Sequence, residues 1–263
     1  MRVGIIGVGA IGSFVHRELD ARGFEIRALL VRPGRIADVA TRYPGLFCVA
    51  TAADLPDDLD LMIDCAGQEA LKTHGPDILR RGIDLATVSI GALADATLYG
   101  SLEDAANEGQ STLHLASGAI GALDCLRAGR VGQLQSVTYA GRKPPAGWKG
   151  SPAEETIDLD SLEGEARVHF EGSARDAAMR YPKNANVAAA VALAGIGMDE
   201  TKVRLIADPT VEQNIHEVRA TGDFGSFSFE IRGNALPDNP RSSALAAMSA
   251  VSVAEQLSRR VRF

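Results

Sequence analysis

A chain of 263 residues is long enough for one large domain or two smaller ones, and 46% hydrophobic residues suit a globular protein with a buried core. The formal net charge of −7 argues against nucleic acid and anionic membranes as partners, because proteins that bind them usually carry a basic face. The three cysteines, Cys48, Cys65 and Cys125, are odd in number and lie in apolar stretches, which favours reduced thiols over disulfides or a metal site. No apolar run reaches the roughly 18 residues that span a bilayer. We therefore expect a cytoplasmic protein without a metal.

The N-terminal segment has the pattern of a strand, a glycine-rich turn and a helix. The apolar residues 3–6 precede G-V-G-A-I-G at 7–12, and a helical pattern follows. Gly7 permits a tight turn, Gly9 lets the backbone touch a pyrophosphate, and Gly12 lets helix and strand pack closely. Ala10 and Ile11 stand between these glycines at the helix N-terminus, where free N–H groups favour phosphate. This context predicts a dinucleotide site, although a bare glycine pattern also occurs without a ligand.

Strand and helix patterns then alternate as far as residue 117. Near-continuous apolar strands separated by helices predict a parallel sheet covered on both faces, and thus a Rossmann dinucleotide-binding domain over residues 1–117. Ligands bind such sheets at the carboxyl ends of the strands. The segments D-C-A-G (64–67) and S-I-G-A-L (89–93) fall at such ends, so we expect both, with Ala66, to line the cofactor site.

The second predicted strand ends in a basic loop. NAD-binding domains usually place a carboxylate about 20 residues after the glycines, but this chain has V-R-P-G-R at 31–35. Arg32 and Arg35 can pair with a 2′-phosphate, so the expected cofactor is NADP, NAD, or both. The alternative is that both arginines are ordinary solvated charges.

The regular alternation of strand and helix patterns ends after residue 117. Strand patterns, two helical pieces broken at Pro182 and a hairpin around residues 222–225 predict a second, smaller α+β domain over 118–238, with roles in catalysis and dimerisation. A terminal helix within 239–263 is expected to pack back on the first domain. The long hairpin and apolar strands of the second domain make a homodimer the expected assembly.

Polar residues precede the apolar helix that begins near residue 187. In Y-P-K-N-A-N-V, Asn186 is placed to cap that helix, but capping does not account for Lys183 as well. A lysine and an amide at a helix N-terminus suit a carboxylate or a carboxamide. We favour a binding site over a plain cap.

His216 is the strongest candidate for a base. Strand alternation places it with Val218 and Ala220, on the more apolar face. A lone histidine in such a place is more often a core residue than a catalyst, yet a dehydrogenase acting on an amine needs a base that works near neutral pH. The other histidines are weaker candidates.

Motifs along nearly the whole chain resemble the L-aspartate dehydrogenase family: G-V-G-A-I-G, D-C-A-G, V-S-I-G-A-L, S-G-A-I-G-A-L-D, Y-P-K-N-A-N-V-A-A and N-P-R-S-S-A-L. The resemblance implies oxidation of L-aspartate to iminoaspartate with NAD or NADP, the reverse amination of oxaloacetate, and a product that can enter NAD biosynthesis. It implies that His216 is catalytic and that Ala119 and Asn186 contact the cofactor. To these we add Lys183 as a second catalytic residue, on the substrate side, and Lys143 and Arg241 as further candidates to hold the substrate carboxylates.

Two alternatives stay open from the sequence. The fold does not fix the substrate, so another small amino acid or dicarboxylate is possible for an NADP-dependent dehydrogenase or reductase. A nucleotide-sensing protein that kept the fold and lost the chemistry would have little need for Lys183 and His216 together.

Overall fold

A computed structural model describes residues 1–182, 184–237 and 239–262, with the side chains of Pro240 and Arg241 left out. The chain divides into two compact units, the first formed by Met1–Ala116 with Ala246–Phe263 and the second by Ser117–Leu245. The sequence predicts domain boundaries after residues 117 and 238. The later boundary differs because two short strands, Ala235–Leu236 and Asn239–Ser243, pair with each other before the last helix begins. Within the described ranges, no helix is long and apolar enough to cross a bilayer.

The first unit alternates strands and helices. Its strands are β1 (Arg2–Ile6), β2 (Glu25–Leu30), β3 (Phe47–Val49), β4 (Leu61–Asp64), β5 (Asp84–Thr87) and β6 (Leu113–Leu115). Its helices are α1 (Ala10–Ala21), α2 (Ile36–Arg42), α3 (Gln68–Arg80) and α4 (Ala96–Gly109). The sequence pattern missed β3, because a three-residue edge strand is too short to show a period.

These six strands form one parallel sheet in the order β3-β2-β1-β4-β5-β6. The order reverses between β1 and β4, so a crevice opens at their carboxyl ends, which is where open α/β sheets bind ligands. The strands are apolar on both faces because helices cover both faces. The last helix, α8 (Ala244–Ser258), contributes Ala250, Val251 and Ala254 to the same buried core.

The second unit is built on a mixed sheet. Its strands are β7 (Leu134–Lys143), β8 (Arg167–Ser173), β9 (Lys202–Ala207), β10 (Asn214–Gly222), β11 (Gly225–Gly233), β12 (Ala235–Leu236) and β13 (Asn239–Ser243). Its helices are α5 (Leu123–Gly129), α6 (Ala174–Arg180) and α7 (Asn186–Ala194). The five-stranded sheet has the order β11-β10-β7-β9-β8, and β12 pairs with β13 separately.

The register between β7 and β10 sets the buried face of this sheet. These strands are antiparallel, with His216 opposite Gly141 and Val218 opposite Tyr139. Because side chains alternate between faces, Tyr139, Gly141 and Lys143 share the face of β7 on which β10 presents His216. The predicted alternation of β10 is confirmed, since His216, Val218 and Ala220 are all buried.

Candidate active site

The glycine-rich turn after β1 has the geometry of a phosphate cradle. Gly7 has a φ of +84°, which favours glycine, and a Cβ on Gly12 would lie 1.9 Å from the Gly7 carbonyl oxygen. Gly9 is exposed, and a Cβ there would meet no atom within 4 Å. It is also the N-cap of α1 and supplies no side-chain cap, so the first turn, with Ala10 and Ile11, presents its N–H groups to a ligand.

The loops after β4 and β5 are tied together beside this turn by a buried carboxylate. A Cβ on Gly7 would lie 2.8 Å from that of Ala66, so these two predicted cofactor residues are brought together. Asp64 is fully buried and accepts hydrogen bonds from the Ala66 N–H (2.9 Å), the Thr87 hydroxyl (2.8 Å) and the Ser89 hydroxyl (2.6 Å). Burial raises its pKa, and these donors oppose that shift. The sequence analysis places Asp64 within the segment 64–67 at this site but does not predict that its carboxylate joins the two loops, although an acidic residue ending an apolar strand is a visible signal.

The two arginines of the basic loop differ in their surroundings. The Arg35 guanidinium lies 2.7 Å from the Asp38 carboxylate, one helical turn further on. Arg32 is exposed and has no ion-pair partner among the residues that the structure describes. Arg32 is therefore the better placed of the two to meet a 2′-phosphate, and the choice between NADP and NAD stays a prediction.

His216 is buried in the second unit, with 4% of its surface exposed, and it contacts Tyr139. The Tyr139 hydroxyl lies 2.7 Å from His216 Nδ1. Burial, together with the positive charge of Lys143, lowers the pKa of His216 to about 3. The imidazole is therefore neutral at physiological pH, as a base must be before it accepts a proton.

Lys143 supplies an ammonium group beside this histidine. Its Nζ donates a 2.8 Å hydrogen bond to Asn184 Oδ1 and lies 4.8 Å from the centre of the Trp148 ring. Burial lowers its pKa to about 8, and no carboxylate among the described residues pairs with it. Lys143 and Asn184 line a groove of about 1200 Å³, which is large enough for a small anion. A half-buried cation with only neutral partners is a candidate site for such an anion.

The other predicted site residues are distributed as follows. Ala119 is buried in the second unit. Asn186 is the first residue of α7, but the N-cap position belongs to Ala185 and has no side-chain cap bond, so the capping alternative for Asn186 was wrong. Lys183 and the side chain of Arg241 lie outside the described residues.

The residues present fit a nicotinamide dinucleotide. A left-handed glycine, an open glycine and an uncapped helix N-terminus converge at the switch point of a parallel sheet. The described residues in position to hold the pyrophosphate are Gly7, Gly9, Ala10, Ile11 and Gly12.

Similarity to known proteins decides the family. Residues 124–257 match the family model described as aspartate dehydrogenase, C-terminal, and residues 7–116 match homoserine dehydrogenase, NAD binding domain. An L-aspartate dehydrogenase from Ruegeria pomeroyi is 50% identical over 262 residues, covering 100% of this chain and 94% of that protein. The chain belongs to the aspartate dehydrogenase family.

Other members of the aspartate dehydrogenase family agree over the same length. The L-aspartate dehydrogenase of Pseudomonas aeruginosa is 45% identical, with 95% of each chain covered. The crystal structure of aspartate dehydrogenase from Thermotoga maritima superimposes with a TM-score of 0.77 at 26% identity, covering 100% of this chain and 99% of that one. The predicted fold class, family, oxidoreductase class and NAD(P) cofactor are thereby confirmed.

Proposed function

We propose that this protein catalyses the NAD(P)-dependent oxidation of L-aspartate to iminoaspartate and the reverse amination of oxaloacetate. The observation that carries the proposal is the 50% identity, over the full chain, to an L-aspartate dehydrogenase. The second unit supports it chemically, because one sheet face holds a neutral histidine and an ammonium group without a carboxylate partner among the described residues.

Each part of the substrate has a candidate among the residues of the chain. When bound, the dinucleotide would supply the acceptor for the hydride of the aspartate Cα. Lys143 would hold one substrate carboxylate, because an anion is the partner that its ammonium lacks within the described residues. Lys183 and Arg241 remain predictions for the substrate side.

His216 would act as the general base. Its neutral imidazole would take a proton from the substrate ammonium group, or from the water that attacks the imine, and would return that proton in the amination direction. Burial, with the nearby ammonium of Lys143 as a second cause, holds the imidazole in its neutral form before the proton is transferred.

The remaining parts of the proposal rest on the sequence. They include assembly as a homodimer, a cytoplasmic location and a product that enters NAD biosynthesis. They also include contacts to the cofactor from Arg32, Ala66, Ala119 and Asn186. The close approach of Ala66 to the glycine-rich turn, where a Cβ on Gly7 would lie 2.8 Å from that of Ala66, supports the cofactor contact of Ala66.

Absorbance at 340 nm tests the proposed activity directly. Purified protein is given oxaloacetate with NADH or NADPH, with and without ammonia, and 2-oxoglutarate and pyruvate serve as matched keto acids. We expect ammonia-dependent loss of absorbance with oxaloacetate, and little with the other two. Turnover of another keto acid would indicate a different substrate. Cofactor binding without any turnover would favour a nucleotide-sensing protein.

A further inference from the structure

Tyr139 and His216 are two buried side chains of the second unit that contact each other. The Tyr139 hydroxyl lies 2.7 Å from His216 Nδ1, and the two rings are stacked with centroids 6.0 Å apart. Only 2% of Tyr139 and 4% of His216 is exposed. A hydrogen bond away from water is stronger and more directional than one at the surface, so it can fix the orientation of the imidazole.

Gly141 makes this contact possible. It lies directly opposite His216 on the neighbouring strand, whereas Tyr139 lies opposite Val218, so the tyrosine reaches the histidine diagonally. A Cβ on Gly141 would lie 2.7 Å from the Tyr139 hydroxyl and 3.2 Å from Cζ of the same ring. Any larger residue at 141 would therefore displace the hydroxyl. Glycine weakens a strand interior, and here it leaves space for a particular side-chain contact.

The chemistry of a phenol suits this position. Burial raises the pKa of Tyr139 above its usual value, so the hydroxyl stays protonated and uncharged. Beside a neutral imidazole the hydroxyl can either donate to an unprotonated Nδ1 or accept from Nδ1–H, whereas beside an imidazolium it can only accept from Nδ1–H. With the hydrogen on Nδ1, the lone pair of a neutral imidazole is on Nε2.

We propose that Tyr139 is a positioning residue for His216: its hydroxyl oxygen accepts Nδ1–H and leaves Nε2 as the atom that exchanges protons with the substrate. In the oxidative direction the Nε2 lone pair takes a proton from the substrate ammonium group or from water, while Nδ1–H stays hydrogen-bonded to Tyr139. The imidazolium then releases the Nε2 proton to solvent. This role of Tyr139 rests on the proposed function, in which His216 is the base.

Nitrogen-15 NMR of histidine-labelled protein tests the tautomer without requiring turnover. The His216 signals are assigned by their loss in His216→Ala. We expect a protonated Nδ1 and an unprotonated Nε2 near pH 7, and a mixture of tautomers in Tyr139→Phe. A wild-type His216 protonated on Nε2 alone would overturn the proposal, whether or not aspartate is the substrate.

Kinetics test the consequence for catalysis. Tyr139→Phe keeps the buried ring and removes only the hydroxyl, so we expect kcat to fall about 10- to 100-fold, a share of the usual effect of a general base, with little change in the KM for aspartate. Gly141→Ala should lower kcat in the same direction, although it leaves the tyrosine present. Ser136→Ala is the matched control, because it removes another 2.7 Å side-chain contact between the same strands, to Thr221, at an exposed position.

A double variant separates positioning from a general structural effect. If Tyr139 acts through His216, adding Tyr139→Phe to His216→Ala should leave the residual rate unchanged, because the two effects are not additive. A further loss as large as that in the wild-type background would overturn the proposal. Wild-type protein without aspartate turnover would contradict the proposed function instead, and the NMR result would still decide the role of Tyr139.

Discussion

At the residue scale, the surroundings of Lys143 indicate a binding site for an anion. Its ammonium contacts an amide oxygen and an aromatic ring, both neutral, and burial holds its pKa at about 8. A carboxylate beside it would favour the charged form and raise that pKa, so binding of the anion and protonation of the lysine are linked. Affinity for a carboxylate should therefore decrease as the pH rises above about 8.

Calorimetric titration of succinate, a four-carbon dicarboxylate without an amine, onto protein saturated with NAD(P)H measures this linkage. Hydrogen bonds to charged groups contribute about 1.5–3 kcal/mol, so Lys143→Met should weaken binding by about tenfold or more at pH 7 and remove the pH dependence above 8. Lys202→Met is the control, since Lys202 is exposed in the same unit and is not among the residues that line the groove beside Lys143. Equal affinities in wild type and Lys143→Met would exclude Lys143 from the carboxylate site.

At the element scale, strands and helices with a clear period could be predicted, and the pairing between them could not. The apolar pattern predicts a strand over residues 134–143 and a helix over 96–109, which β7 and α4 occupy, and the predicted hairpin around 222–225 joins β10 to β11. Alternation alone also placed His216 on a buried face. The partner of that face depends on the register between β7 and β10, which no local pattern encodes, so Tyr139 and Gly141 were not identified.

Two local errors have equally physical causes. Asn186 has the residue type of a helix cap, but the helix starts one residue earlier in register, with Ala185 in the cap position. Asp64 is the last residue of an apolar strand, and nothing in that local pattern indicates what its carboxylate contacts. It accepts hydrogen bonds from Thr87 and Ser89, which follow 23 and 25 residues later. Contacts of that kind require the tertiary fold.

At the scale of the whole molecule, the buried histidines predict a stability that depends on pH. Folding lowers the pKa of His216 to about 3 and that of His169 to about 4, from an ordinary value near 6.5. Between those values the unfolded chain binds more protons than the folded one, so the free energy of unfolding should fall as the pH drops below about 6.5. The slope approaches about 1.4 kcal/mol per pH unit for each histidine.

Urea unfolding between pH 7.5 and 5, where few carboxylates titrate, measures this slope. The double variant His169→Gln with His216→Gln should show a shallower dependence, whatever its absolute stability. A slope unchanged from wild type would mean that these histidines are protonated in the folded protein, contrary to their burial.

The most direct test of the central claim, that His216 is the base of an aspartate dehydrogenase, is the turnover of His216→Ala measured beside its cofactor affinity. General acid–base catalysis typically contributes about 10²- to 10⁴-fold, so kcat for ammonia-dependent reduction of oxaloacetate should fall by about that factor. The affinity for NAD(P)H, followed by its fluorescence, should stay that of the wild type. Turnover close to wild type in this variant would contradict the assignment and leave His216 as a buried core histidine.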